Sequence, residues 1–303
     1  MRKILVTGGT VFVSRYVTEY FVKKGEDVYV LNRNTRPQSA GVKLIEADRN
    51  ALGDKLKNYD FDVVVDVTSY TKADVENLVK ALGTIKEYIF ISSSAVYPET
   101  LSQPFHEEQE CGPNSIWGTY GTNKLEAEKY LQEHVPQAYI LRPPYLYGPM
   151  QNVYREPFVF DCAMANRTFY VPKDGKMKMQ FFYVEDLCRF IDTLLEKKPE
   201  QKIFNVGNKE AVTINEWVAM CYEVVGKELR TVNVDVSRPQ RQYFSFYDYE
   251  YYLDVTKQEA LMSDTKSLFE GLQESFEWYR EHEDLVIKKP LMKYIDEELK
   301  KRD

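Results

Sequence analysis

The sequence predicts an α/β chain built on a doubly wound parallel sheet, and three observations carry that prediction. Strand-like runs alternate with helical stretches through the first half of the chain. The runs Val63-Val64-Val65 and Tyr88-Ile89-Phe90-Ile91 do not alternate in polarity, as strands covered on both faces require. A glycine pair, Gly8-Gly9, stands between the first strand and the first helix.

Strands are predicted at Lys3–Thr7, Asp27–Asn32, Val42–Glu46, Asp62–Val67, Glu87–Ser92 and Ala138–Arg142. Helices are predicted between them at Phe12–Lys24, Ala51–Lys57, Lys72–Leu82 and Tyr120–His134. Alternation at this spacing makes right-handed βαβ units. After Pro149 the pattern loosens into a helix at Tyr154–Asn166, a strand at Thr168–Val171 and a polar turn at Lys173–Lys178. A helix at Val184–Glu196, a strand at Lys202–Val206, a helix at Ile214–Val225 and a strand at Thr231–Val234 follow. The stretch Thr256–Arg302 reads as helical and strongly charged, with Asp296–Asp303 a solvated face or fraying tail. The larger domain is expected over residues 1–150, with interleaved returns near 180–207, and a smaller lobe over 151–303.

Over 303 residues, 44% are hydrophobic and 29% charged, the balance of an ordinary globular protein. A formal net charge of −7 argues against a nucleic-acid partner, because phosphate backbones select a basic excess. The tyrosines gathered between Tyr243 and Tyr252 read as packing for the lobe. Cys111, Cys162, Cys188 and Cys221 form no C-x-x-C pair, so neither a disulfide framework nor a metal site is expected, in keeping with a reducing cytosol. The N-terminal apolar run is too short for a signal peptide and no apolar stretch has membrane-spanning length; a cytoplasmic location without membrane contact is expected.

Strand Lys3–Thr7 runs into Thr7-Gly8-Gly9-Thr10-Val11-Phe12-Val13-Ser14, which opens a helix. Such a turn aims backbone N–H groups and a helix N-terminus at a pyrophosphate, the arrangement of a dinucleotide-binding loop. In a G-x-x-G-x-x-G spacing from Gly8, the second and third glycines are Val11 and Ser14. Val11 places a branched side chain where the pyrophosphate approaches, and Ser14 is expected to part helix and strand slightly. The second strand ends in Asn32-Arg33, with Arg36 nearby, instead of the acidic residue that binds an adenosine ribose. That charge balance favours NADP over NAD. Asp48 is placed to accept a hydrogen bond from the adenine amino group.

Tyr120 and Lys124, four residues apart on one helix, project to the same side. An ammonium beside a phenol favours the phenolate and brings it into useful acid/base range. The serine-rich strand end Ser92-Ser93-Ser94 supplies a hydroxyl for a substrate oxygen.

With Arg142-Pro143-Pro144-Tyr145-Leu146-Tyr147-Gly148-Pro149, Phe182-Tyr183-Val184-Glu185-Asp186-Leu187 and Phe204-Asn205-Val206-Gly207 in the same order, the chain resembles an extended short-chain dehydrogenase/reductase of the NAD-dependent epimerase/dehydratase family. The resemblance spans Met1 to Tyr279 and implies a Rossmann sheet of about seven strands with a small mixed C-terminal substrate lobe. It implies Tyr120 as acid/base, Lys124 on the nicotinamide ribose, Ser93 orienting the substrate oxygen, and Pro143 and Pro144 beside the nicotinamide. It also implies a homodimer through the Lys72–Leu82 and Tyr120–His134 helices. The phrases Asp62–Tyr70 and Phe246–Lys257 resemble an atypical branch of nucleoside-diphosphate-sugar epimerase relatives that includes chloroplast stem-loop-binding proteins.

Sugar dehydratases of that family carry an acidic pair just after the catalytic hydroxyl residue. Here Ser94 and Ala95 stand there, so a 4,6-dehydratase is not expected. The resemblance implies an epimerase or a reductase acting on a sugar or nucleotide sugar. The arginine that clamps a nucleotide pyrophosphate ahead of Phe182 is replaced by Met179 and Gln180, and Arg238 and Arg241 are candidate substitutes. The competing reading is a non-catalytic scaffold of the same fold that binds a dinucleotide, RNA or protein.

Overall fold

The computed structural model describes residues 1–300. In chain order its elements are β1 (Lys3–Thr7), α1 (Phe12–Lys23), β2 (Asp27–Asn32), β3 (Lys43–Glu46), β4 (Val63–Asp66), α2 (Lys72–Ala81), β5 (Glu87–Ile91), α3 (Thr119–His134) and β6 (Tyr139–Arg142). There follow β7 (Tyr145–Tyr147), α4 (Glu156–Met164), β8 (Phe169–Pro172), β9 (Lys178–Met179), β10 (Phe181–Tyr183), α5 (Val184–Lys197) and β11 (Ile203–Asn205). The chain ends through β12 (Val212–Thr213), α6 (Ile214–Val225), β13 (Thr231–Val234), α7 (Thr256–Glu259), α8 (Leu268–Glu281) and α9 (Leu291–Tyr294).

Seven strands form one parallel sheet in the order β11-β6-β5-β4-β1-β2-β3. The apolar runs explain why it is covered twice. Ile4, Val6, Val63, Val65, Ile89 and Ile91 feed a core with Val17 and Phe21 of α1 and Leu187 and Ile191 of α5. Leu5, Val64, Tyr88 and Phe90, one residue out of phase, feed a second core with Val75 and Leu78 of α2 and Ala127 and Leu131 of α3. Burying one such side chain stabilises by ~1.5–3 kcal/mol. Strand propensity spans only ~1 kcal/mol, so burial dominates the sheet.

A third core, rich in rings, fills the lobe around Phe158, Phe169, Phe181, Trp217, Phe244 and Tyr279. Tyr243, Phe246 and Tyr251 are buried in it, so most of the 243–252 aromatic cluster packs the lobe. Short paired strands stitch this region: β8 with β13, both expected from the sequence, and β7 with β10 and β9 with β12, which it does not announce.

Three helical predictions are corrected. Ala51–Lys57 is a 3-10 turn at Arg49–Ala51 followed by successive turns. The Asp48 carboxylate captures the Asn50 N–H at 2.9 Å, and Gly53 takes a left-handed φ of 51°, so no α-helix propagates. The stretch from Thr256 is broken into α7, α8, α9 and a π turn at Ile295–Leu299, with Pro290 heading α9. Residues 301–303 of that prediction lie outside the described residues. The helix predicted at Tyr154–Asn166 is shortened to α4. No helix among the described residues is long and apolar enough to cross a membrane.

Candidate active site

The strand order reverses between β1 and β4, where ligands of such sheets bind at the carboxyl ends of the strands. Thr7 ends β1, its hydroxyl donating to the buried Asp66 carboxylate at 2.8 Å and accepting from Val67 N–H at 2.9 Å. Gly8 and Gly9 take φ values of 92° and 90°, which disfavour a side chain. A Cβ on Gly8 would lie 2.8 Å from Thr68 and 2.9 Å from the Ser14 hydroxyl. Ser14 is therefore accommodated against the glycine, and its hydroxyl donates to Val11 O at 2.9 Å; the separation of helix and strand expected from Ser14 is offset. Gly9 packs inward on Val30 and reaches no cavity wall. Val11 is extended at φ −137°, and Phe12 takes up the positive φ of 34°. The first turn of α1 has neither a capping side chain nor an acidic residue, so its N–H groups are open to an anion.

A cavity of about 380 Å³ lies beside the loop, lined by Thr7, Gly8, Thr10, Asn32, Arg33, Arg36 and Asp48 among others. Asn32 is occupied: its amide donates to Gly8 O at 2.7 Å and to Gln38 at 3.0 Å, and its oxygen accepts Asn34 N–H at 2.9 Å. It ties the loop together while standing on the cavity wall. Asp48 keeps one carboxylate oxygen on Asn50 N–H.

A second cavity of about 370 Å³ joins Val11, Phe12 and Val13 to Ser93, Tyr120, Lys124, Pro143 and Pro144. Four segments remote in sequence therefore meet there. Gly121 makes the meeting of α3 and the Ser94–Val96 turn close, since a Cβ there would strike Ala95 O. Gly121→Ala is expected to destabilise by ~1–3 kcal/mol and to move Tyr120 away from Ser93. Thermal melts and the dinucleotide-dependent rate check this; wild-type values for both would refute the constraint.

Tyr120 is 38% exposed at the cavity, yet its hydroxyl end is desolvated enough to raise the phenol pKa, while a hydrogen bond with the Ser93 side chain opposes the rise. Ser93 also accepts Ala95 N–H at 3.2 Å. Lys124 is 2% exposed. Its ammonium donates to Ser69 O at 2.7 Å and Ile91 O at 2.8 Å, and lies 4.9 Å from the Tyr70 ring and 4.7 Å from Phe90. Burial pushes its pKa down to about 8. The expectation that Lys124 lowers the Tyr120 pKa is thus corrected: the ammonium is held by two carbonyls, and desolvation governs the phenol.

Beneath the cavity, Arg142 forks onto Glu128 at 2.6 Å and 3.1 Å, and Ser92 donates to the same carboxylate. Arg142 also donates to Tyr97 at 2.8 Å, and Tyr97 to Asn205 at 2.7 Å. Every member of this chain is buried, and such fully paired networks rigidify what rests on them.

Sequence reasoning passed over Tyr70, Gln151, Asn152 and Arg155, which also line the second cavity. Tyr70 follows a strand end at the point of reversal, a position that could have flagged it. Its ring tilts against Tyr120 at 6.2 Å. Nothing local marks Arg155. Behind it, Glu156 opens α4 fully buried, with neither oxygen hydrogen-bonded. Among the described residues no His/Cys/Asp/Glu group could hold a metal, and the four cysteines are free.

Residues 4–207 match the model of the NAD dependent epimerase/dehydratase family. The chloroplast stem-loop binding protein of 41 kDa b from Arabidopsis thaliana is 28% identical over 302 residues, 91% of this chain and 78% of that protein. The dTDP-D-glucose 4,6-dehydratase of Mus musculus is 23% identical over 323 residues, 93% of this chain and 89% of the other. A Streptomyces dTDP-4-dehydro-6-deoxy-D-allose reductase is 25% identical over 336 residues, 93% and 97% respectively. In fold, the chain is similar to UDP-glucose 4-epimerase from Thermotoga maritima, solved with UDP-glucose, with a TM-score of 0.75, 21% identity, and 92% and 99% of the two chains covered. The Bacillus cereus UDP-glucuronic acid 4-epimerase, solved with UDP-glucuronic acid and NAD, gives 0.73 at 21% identity, again over 92% and 99%. With the reversing seven-stranded sheet, the glycine loop and two thirds of its length matched, this chain belongs to the NAD dependent epimerase/dehydratase family.

Proposed function

We propose that this chain is a nicotinamide-dinucleotide-dependent enzyme that acts at a hydroxyl or keto carbon of a nucleotide sugar, by epimerisation or reduction, with Tyr120 as acid/base. The observation that carries the reading is the convergence of Ser93, Tyr120, Lys124 and Pro143–Pro144 on one cavity that begins at the glycine loop. The uncapped, acid-free first turn of α1 fits a pyrophosphate. Bound there, the dinucleotide supplies reversible hydride transfer at the sugar carbon. Thr10, Val11, Phe12 and Val13 would hold its pyrophosphate, Pro143 and Pro144 would flank its nicotinamide, and Lys124 would face its ribose.

The protein's own part is the proton. Tyr120 gives or takes it at the sugar oxygen, and Ser93 fixes that oxygen beside the phenol. A phenol raised by burial stays protonated at neutral pH, which is the state that protonates a keto oxygen. This supports keto reduction as the half-reaction for which the site rests prepared. Ser94 and Ala95 supply no carboxylate for eliminating water, which supports epimerase or reductase over 4,6-dehydratase.

The NAD bound by the Bacillus cereus epimerase supports NAD(H). Arg33 and Arg36, both on the wall of the first cavity and neither in an ion pair among the described residues, support acceptance of NADP(H). Titrating the protein with NADH and NADPH tests the whole reading: saturable binding is expected, and binding of neither would refute it. Arg33→Ala is expected to weaken NADPH on the order of tenfold, the worth of one charge-assisted contact, and NADH far less. Equal losses would remove Arg33 from that role. The likeness to a stem-loop binding protein favours a second, non-catalytic reading, in which both dinucleotides fail to support turnover.

A further inference from the structure

Four groups enclose the Lys124 ammonium, which the reading above turns toward the dinucleotide ribose. Ser69 O and Ile91 O accept from it at 2.7 Å and 2.8 Å, and the Phe90 and Tyr70 rings stand 4.7 Å and 4.9 Å away. Lys124 is 2% exposed, so little of it reaches the cavity that it helps to line. A ribose hydroxyl meets the ammonium only where one of the four gives way.

Three of them are fixed. Ile91 O and Phe90 belong to β5, inside the sheet between β4 and β6, and the Phe90 ring is fully buried. Ser69 is buried, and its segment is pinned residue by residue. Thr68 N–H donates to the Thr7 hydroxyl at 3.1 Å, Ser69 N–H to Asp66 at 3.2 Å, and Tyr70 N–H to Asp74 at 3.0 Å, within the capping box that opens α2. Arg49 donates to Thr68 O as well. The Tyr70 ring alone is loose: it is 53% exposed, lines the cavity, and its hydroxyl has no hydrogen bond among the described residues. A half-exposed side chain on a fixed backbone changes rotamer quickly. The same ring leans on the other member of the pair, 6.2 Å from the Tyr120 ring, so its position bears on both.

We propose that Tyr70 is a positioning residue that gates Lys124: its ring covers the ammonium in the free protein and swings aside for the dinucleotide ribose, so that the catalytic pair is completed only with the dinucleotide in place. The proposal rests on the reading of the cavity as a dinucleotide site. A ligand that must open a cover binds more weakly by the fraction of the protein that is open. The ring's hold on a desolvated cation is worth on the order of two- to thirtyfold in that fraction.

Two measurements on the wild type, Tyr70→Phe and Tyr70→Ala test the gate. The first is acetylation of Lys124 by acetic anhydride, read by peptide mass spectrometry. Burial lowers the Lys124 pKa to about 8, so mildly alkaline buffer leaves a reactive neutral fraction and the cover limits the rate. Tyr70→Ala is expected to label on the order of tenfold faster than the wild type, with NADH protecting it, and Tyr70→Phe, which keeps the ring, to label as the wild type does. The second is calorimetric titration with NADH and with ADP, which carries the pyrophosphate but no second ribose. Tyr70→Ala should tighten NADH on the order of two- to thirtyfold and leave ADP within about twofold, with Tyr70→Phe near wild type for both. Tyr70→Leu, apolar but without a π face, replaces Tyr70→Ala if that variant fails to fold. Equal labelling in all variants, NADH no tighter in Tyr70→Ala, or ADP shifting together with NADH would each overturn the gate. Ring-dependent labelling without NADH binding to any variant would keep Tyr70 as the cover of Lys124 and overturn the dinucleotide reading instead.

Discussion

Tyr120→Phe is expected to lower kcat on the order of 10²–10⁴-fold, the contribution of one positioned acid/base, with NADH affinity unchanged within about twofold. The substitution removes a single oxygen at the second residue of α3 and leaves the ring against Tyr70. Ser93 keeps its bond from Ala95 N–H, so the pocket wall stays. The pH profile sharpens the test. Because the acid form is the reducing form and its pKa is raised, keto reduction should stay level through neutral pH and fall only above the ordinary phenol pKa of ~10. Dinucleotide absorbance at saturating keto sugar reads both. A mutant with wild-type kcat would assign the proton to another group, Tyr70 being the phenol beside it.

Glu156→Gln is expected to stabilise the protein relative to the wild type as pH rises. The residue is 1% exposed, neither oxygen has a partner, and desolvation lifts its pKa from 4.5 to about 7. The unfolded chain gives up this proton first, so the folded state binds more protons between those values. Its stabilising share is complete below the unfolded pKa, declines as pH rises toward about 7, and is lost above it. The span corresponds to about 3 kcal/mol. Glutamine cannot ionise, so the variant should lack this slope and gain on the wild type at pH values above neutrality. Urea unfolding on both sides of neutral pH measures it, and parallel stability curves for the two proteins would sink the assignment.

The sheet was readable because burial on both faces leaves no polar alternation in Val63-Val64-Val65 or Tyr88-Ile89-Phe90-Ile91, and each residue fills one of the two cores. The pairing of Tyr120 with Lys124 on one helix face was readable from their spacing, whereas the destination of the ammonium was not. It depends on where the loop after β4 presents Ser69 O, a matter of tertiary packing. The false helix at 51–57 shows a local rule losing to another: Gly53 and the Asp48 side chain outcompete a moderate helical pattern. Arg155 carries no motif that ties it to Tyr120 or Ser93, so only tertiary packing reveals that it lines their cavity.

The seventh strand has a consequence for the order of synthesis. β6 ends at Arg142, but the strand that covers its outer edge begins only at Ile203. At ~5–20 residues per second a ribosome needs roughly 3–12 s to make that interval. Through that time the hydrogen-bonding edge of β6 is uncovered, and Tyr97, held by Arg142, lacks its Asn205 acceptor. The nascent sheet is thus a candidate client for a holding chaperone until Asn205 emerges, and its native closure is timed by elongation through the lobe.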